Sequence, residues 1–215
     1  AIQGLPRYII CSRISKRSIF DFVATNIVLS DKIQAFVFSD DYSFGILQSK
    51  LHWIWWLERG ATLKSDPSYT PHSIFDTFPW PQQPIPAQVK AVAEAGRNLH
   101  EYRRGAMRRN PKLTLREMYR SLELPGKNPL KDLHTALDAA VLAAYGFGMG
   151  SAAGARHASP QQEDDALLQG LLALNGTVAA RLAAGERVTA PGVPADYPTP
   201  ADLVSEGCIQ PPELI

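Results

Sequence analysis

The run "GATLKSDPSYTPHSIFDTFPWPQQPIP", residues 60–86, constrains the fold more than any other stretch. Pro67, Pro71, Pro79, Pro81, Pro84 and Pro86 remove backbone donors and forbid helix. A connection this long inside a compact domain is either functional or disordered. Tyr69, Phe75, Phe78 and Trp80 make it too apolar for disorder. The segment is therefore expected to lie over a core as an ordered strap. Trp80 would pin its end, and the flanking prolines would stiffen the exit into a domain boundary.

The two sides of this boundary differ in period. Before it, "RYIICSRI", "IFDFVATNIVL" and "IQAFVFS" are β-branched and aromatic, with turn-like "SKRS" and "LSDK" between them, and read as strands. From Asp41, apolar residues at Phe44, Leu47, Leu51 and Ile54 predict one helix to about Glu58, stopped by Gly60. Trp55 falls on its apolar face, with Trp53 and Trp56 beside it. A wide packing face explains these indoles, and base stacking or docking to another domain are the alternatives. After Pro86 everything predicts helix. "AQVKAVAEAGRNLHEYRRGAM" makes one, and "LTLREMYRSLE" makes a second with Thr114 as cap. "PLKDLHTALDAAVLAAYG" runs from Pro129 to Gly146, and a last helix opens on Ser159, Pro160 and Gln162. The fold class expected is α+β: a small mixed strand and helix domain over 1–85, an all-α domain over 86–186, and a Pro-rich tail over 187–215.

The net charge of +1 hides an asymmetry. Residues 90–131 carry 11 basic and 4 acidic side chains, a net +7, and residues 132–215 carry 3 and 10, a net −7. A basic block suits a polyanion, although solvated helix faces give the same count. With 2 cysteines and no run of about 18 uncharged apolar residues, neither a disulfide framework nor a membrane span is expected, and a cytoplasmic setting fits. The chain opens without Met and reads as a piece of a longer protein.

No Gly-x-x-x-x-Gly-Lys-Ser/Thr loop, His-Glu-x-x-His pair or Gly-x-Ser-x-Gly elbow occurs. "YGFGMGSAAG", residues 145–154, follows a helix and lacks the dinucleotide spacing, so a helix connection is expected there rather than a cofactor loop. No catalytic residue and no metal ligand is assigned.

Four stretches taken in order resemble one family. They are "LPRYIICSRISKRSIF", "DDYSFGILQSKLHWIWW", "GATLKSDPSYTPHSIFDTFPWP", and "LHTALDAAVLAAYG" followed by "LLQGLLALN". Over roughly residues 5–180 the chain is similar to the C-terminal part of MmeI-like DNA adenine methyltransferases of type IIG and IIL restriction-modification systems. That part is a target recognition domain followed by a helical domain. The family's Phe-x-Gly-x-Gly and Asn-Pro-Pro-Tyr/Phe methyl-transfer motifs and its Pro-Asp…Glu-x-Lys nuclease set are absent here. The resemblance thus implies a module that chooses a DNA sequence. S-adenosylmethionine and catalysis would belong to an N-terminal domain of the parent, and no cofactor to this piece. The other reading open is a docking module with no direct base reading.

Within the resemblance, "TLKSDPSY" is where a base preference would be set. As an extended run it would aim Lys64, Asp66 and Ser68 to one side. Lysine donates to guanine O6 and N7, and aspartate accepts from cytosine N4, so the pair could read one G·C pair. Solvated loop charges are the plain alternative. Arg13, Lys16 and Arg17, at a strand end and its turn, suit phosphates, as do Arg103, Arg104, Arg108 and Arg109 on the basic helix. Trp53, Trp55 and Trp80 are assigned a structural role, bracing the recognition surface.

Overall fold

The structure is a computed structural model that describes residues 2, 4–63, 66–147 and 159–211. Three short strands, β1 (Tyr8–Ser12), β2 (Phe20–Val23) and β3 (Ile33–Phe36), form an antiparallel sheet in the order β2-β1-β3. Ile9 faces Phe22 on one side and Phe36 on the other. The expected β-to-α order, mixed before Pro86 and helical after it, is the one observed.

The single helix expected from Asp41 to Glu58 is instead two, α1 (Asp41–Gln48) and α2 (Lys50–Arg59). Ser49 separates them with an extended ψ of 161°. Its hydroxyl donates to Ile46 O at 2.7 Å and accepts from the His52 N–H at 3.4 Å. One serine thus ends one helix and caps the next. The bend changes which indoles are covered. Trp55 and Trp56 are fully buried, and Trp53 is half-buried against Trp56 at 5.2 Å.

The strap also contains more regular structure than its prolines suggest. β4 (Ala61–Leu63) and β5 (Asp66–Ser68) pair antiparallel, and α3 (Pro71–Ile74) is one turn of helix with Pro71 at its first position, where a missing N–H costs nothing. Trp80 is 2% exposed and meets Phe38, Tyr42, Phe75 and Phe78.

The helices that follow are α4 (Pro86–Arg109), α5 (Leu115–Arg120), α6 (Pro129–Tyr145) and α7 (Pro160–Ala183). Thr114 with Glu117 and Ser159 with Gln162 form reciprocal caps. Gly146 ends α6 at φ 68°, a left-handed turn that suits glycine. The core is continuous across Pro86. A Cβ on Gly45 of α1 would meet Val92 Cγ1 of α4 at 2.8 Å, and one on Gly96 of α4 would meet Asp41 O at 2.7 Å. The two glycines let α1 and α4 approach backbone to backbone.

Polar groups reinforce this seam. Asp41, fully buried, accepts from Arg7 at 2.7 Å, Arg97 at 3.0 Å, the Ser205 N–H at 3.1 Å and the Ser205 hydroxyl at 2.9 Å. Four donors satisfy one carboxylate, and a charge this deep requires such pairing. The tail takes part as well. Ile209 bonds in both directions to the β2 edge, through the Phe22 carbonyl and the Ala24 N–H, and Cys208 and Leu203 are buried. Cys11 and Cys208 are both free thiols. By length and composition alone α7 could cross a membrane, which the sequence reading did not anticipate. Here it packs on α2, with Leu171 buried and the Asn175 amide donating to Thr77 O at 2.7 Å.

Candidate nucleic-acid interface

The β4–β5 hairpin does not stand free. Beyond β1 the chain runs alongside β5. The Ser15 N–H donates to Pro67 O at 3.2 Å, the Tyr69 N–H donates to Arg13 O at 2.7 Å, and Ile14 bridges Ser68. Tyr69 then turns into the core, where its ring meets Trp56 at 4.7 Å and Phe36 at 5.4 Å, and its hydroxyl lies 3.2 Å from His52 Nε2. Burial lowers the His52 pKa to about 3, so the imidazole is neutral at pH 7 and can accept the phenol proton. The Trp-rich helix therefore backs the hairpin through Tyr69, and supporting packing of this kind gives an exposed edge a defined position.

Between the hairpin, the turn after β1 and helix α5 lies a cleft of about 540 Å³, lined by Ser12, Ile14, Ser15, Lys16, Arg17, Ile19, Asp66, Arg116 and Arg120. Four of these residues are cationic and one is anionic. Lys16 is mostly exposed and lies 3.8 Å from Asp66, and Arg17 pairs with Glu123 just beyond α5. Arg116 and Arg120, one helical turn apart, are exposed on the far wall. Among the described residues no cluster of three or more His, Cys, Asp or Glu side chains is placed to hold a metal ion.

The structure brings together Lys16, Arg17 and Asp66. Arg13 is exposed but outside the cleft, as are Arg108 and Arg109 in the last turn of α4, and Arg104 is half-buried elsewhere. Ser68 is half-buried beside Ile14. Lys64 lies outside the described residues, as do residues 148–154 of the glycine-rich stretch. The single extended run expected through Lys64, Asp66 and Ser68 is replaced by antiparallel strands with Leu63 opposite Asp66. Asp66 and Ser68 still share one face of β5 by alternation.

Arg103 needs the plainest correction, because it cannot meet a phosphate. It is fully buried and donates to Phe20 O at 2.7 Å, Tyr119 Oη at 3.0 Å and Gln48 Oε1 at 3.1 Å, with Asp21 at 3.7 Å. Although burial works against its charge, Tyr119 and Asp21 hold its pKa above the ordinary value. Tyr119 Oη accepts from Arg103, so its own proton goes to His134 Nε2 at 2.9 Å. Burial and the nearby Arg103 charge lower the His134 pKa to about 4, which keeps it an acceptor at neutral pH. This relay turns Tyr119 inward and leaves Arg116 and Arg120 on the outer face of α5. Sequence reasoning missed both. Their spacing of four on a predicted helix was visible, but the wall they face was not.

Comparison with known proteins gives two findings. Residues 9–82 match the family model described as MmeI, target recognition domain. The fold is similar to that of the type IIL restriction-modification enzyme MmeI, whose structure is a complex with DNA. The TM-score is 0.68 at 24% identity, over 84% of this chain and 22% of that one. No curated protein matches the chain. The hairpin, the turn and the Trp-backed strap as far as Gln82 fall inside the matched segment, while α5 lies beyond it. The fold of the chain is therefore MmeI-like, and its first third to Gln82 carries the match to the target recognition domain.

Proposed function

We propose that this chain is the sequence-recognition module of a restriction-modification DNA adenine-N6 methyltransferase. It positions duplex DNA for a catalytic domain carried elsewhere in the parent, where S-adenosylmethionine would bind. The observation that supports this most directly is the placement of the cleft. A hairpin carrying Asp66 and a turn carrying Lys16 and Arg17 converge on one basic surface, within the segment that matches a target recognition domain. Lys16 and Arg17 suit backbone phosphates, which fix register, and Lys64 and Asp66 suit base edges, which fix sequence. A cation and a carboxylate two residues apart in sequence match the guanine acceptors and cytosine donor of a single G·C pair, at about 1–3 kcal/mol of discrimination for each good contact. The parent would act in the cytoplasm, with its methyltransferase domain as the intramolecular partner.

Two measurements test this reading. Enrichment of a random duplex library on the chain should yield one sequence, and uniform recovery would favour a docking module. Profiling modified sites in parent enzyme carrying Lys64→Ala, Asp66→Ala or both should show relaxed preference at one base pair. Uniformly lower modification of an unchanged sequence would reject base reading by this pair.

A further inference from the structure

We infer that α5 is a second DNA-contacting wall, with Arg116 and Arg120 gripping backbone phosphates across the cleft from Lys16. This rests on the DNA-recognition reading above and extends it beyond the matched segment into the helical part of the chain.

The geometry gives three reasons. First, Arg116 and Arg120 are separated by one helical turn, so both side chains project from the same face of α5 into the cleft that Lys16 lines from the opposite side. Second, neither forms an ion pair with a described residue, whereas other cations near the cleft are already engaged. Arg17 holds Glu123, and Arg103 is sealed in its buried relay. Glu117, their neighbour on the helix, turns its carboxylate back to the Thr114 N–H and hydroxyl at 2.9 Å, capping α5 rather than neutralising the wall. Third, α5 is anchored at both its inner face and its end despite having only six residues. Tyr119 locks its inner face to Arg103 and His134, and the Arg17–Glu123 pair tethers its end to the opposite wall. Two guanidinium groups on a fixed, exposed face, opposite a lysine, form a polyanion site that is arranged before the ligand arrives. The contacts are to phosphate, so they add affinity for any duplex and no sequence preference.

The test uses the whole 215-residue chain and duplex DNA, with affinity measured across a series of salt concentrations. Arg116→Gln/Arg120→Gln should weaken binding roughly tenfold near physiological salt, equally for preferred and unrelated duplexes. It should lower the log–log salt slope by about 0.9 for each lost contact. Arg116→Lys/Arg120→Lys should restore most of the slope. Lys90→Gln/Lys131→Gln, which removes two exposed charges outside the cleft lining, should leave it nearly unchanged. If the unaltered chain prefers one duplex but the Gln pair binds with the same affinity and slope, the α5 wall is wrong and the recognition reading survives. An equal loss in the Lys90/Lys131 control would also overturn the wall, since net charge alone would explain the effect. If the unaltered chain binds no duplex at all, the recognition reading fails and the wall with it.

Discussion

Arg103 and Arg120 belong to the same basic block, yet they occupy opposite regions of the molecule. Arg103 lies in the seam where β2, α1, α4 and α5 meet, with four polar partners around it and no exposure. Arg120 lies in the cleft, exposed on α5 with no carboxylate partner among the described residues. The seam uses cations as struts: Arg7 and Arg97 on Asp41, and Arg103 between Asp21, Gln48 and Tyr119. The cleft pairs Lys16 with Asp66 and Arg17 with Glu123, and leaves Arg116 and Arg120 exposed on its wall. A run of basic residues therefore does not by itself identify a ligand site. The partner that meets each guanidinium decides its role.

The largest expected effect tests that contrast directly. Arg103→Ala leaves the buried Asp21 without its guanidinium and leaves the Phe20 carbonyl, Gln48 Oε1 and Tyr119 Oη each one donor short. Breaking a buried pair from one side costs about 3–5 kcal/mol. Arg120→Ala, on an open surface, should stay within about 0.5 kcal/mol. Urea unfolding of the two variants measures both, and equal stabilities would erase the distinction between seam and cleft.

A middle-sized effect tests how the two halves of the chain join. Gly96→Ala places a methyl group against Asp41 O, which is backbone and cannot step aside. Overpacking of this kind costs about 1–3 kcal/mol, partly offset by the roughly 1 kcal/mol that alanine gains over glycine in a helix. A net loss in thermal unfolding is expected, as a single transition, because one core spans Pro86. Two separated transitions would show that the parts before and after Pro86 unfold independently.

The same comparison explains what the sequence could and could not reveal. Features set by neighbours in the chain were readable: the Thr114 and Ser159 caps, Pro129 and Gly146 at the ends of α6, and the change of period at Pro86. Ser49 was not, because it sits inside an unbroken apolar period and only its hydroxyl bonds reveal the bend. The hairpin was hidden by the prolines around it, and the return of the tail to the β2 edge at Ile209 pairs segments at opposite ends of the chain. The basic cleft was half readable. Lys16 and Arg17 stand out by their charge in a turn and Asp66 within the family resemblance, while Arg116 and Arg120 gain their significance only from the wall opposite.

The smallest effect concerns the relay that links seam to cleft. His134 accepts the Tyr119 proton only while neutral, and burial together with Arg103 lowers its pKa to about 4. In the unfolded chain an ordinary histidine takes up its proton near pH 6.5. Between these values the unfolded state binds more protons than the folded one. Stability contributed by neutral His134 is therefore complete above about pH 6.5 and is lost as the pH falls towards 4. Asp138, further along α6, acts in the opposite direction. Burial raises its pKa to about 6, so its contribution is present below about pH 4 and is lost as the pH rises through 6. The two slopes partly cancel in the native chain, and His52 adds a further acid-side loss. A difference measurement isolates one of them. His134→Gln can still accept from Tyr119 but does not titrate. Relative to the native chain it should be nearly neutral at pH 7 and more stable by about 1–2 kcal/mol near pH 5. A stability difference that does not grow as the pH falls would mean that His134 is not the neutral acceptor at the end of the relay.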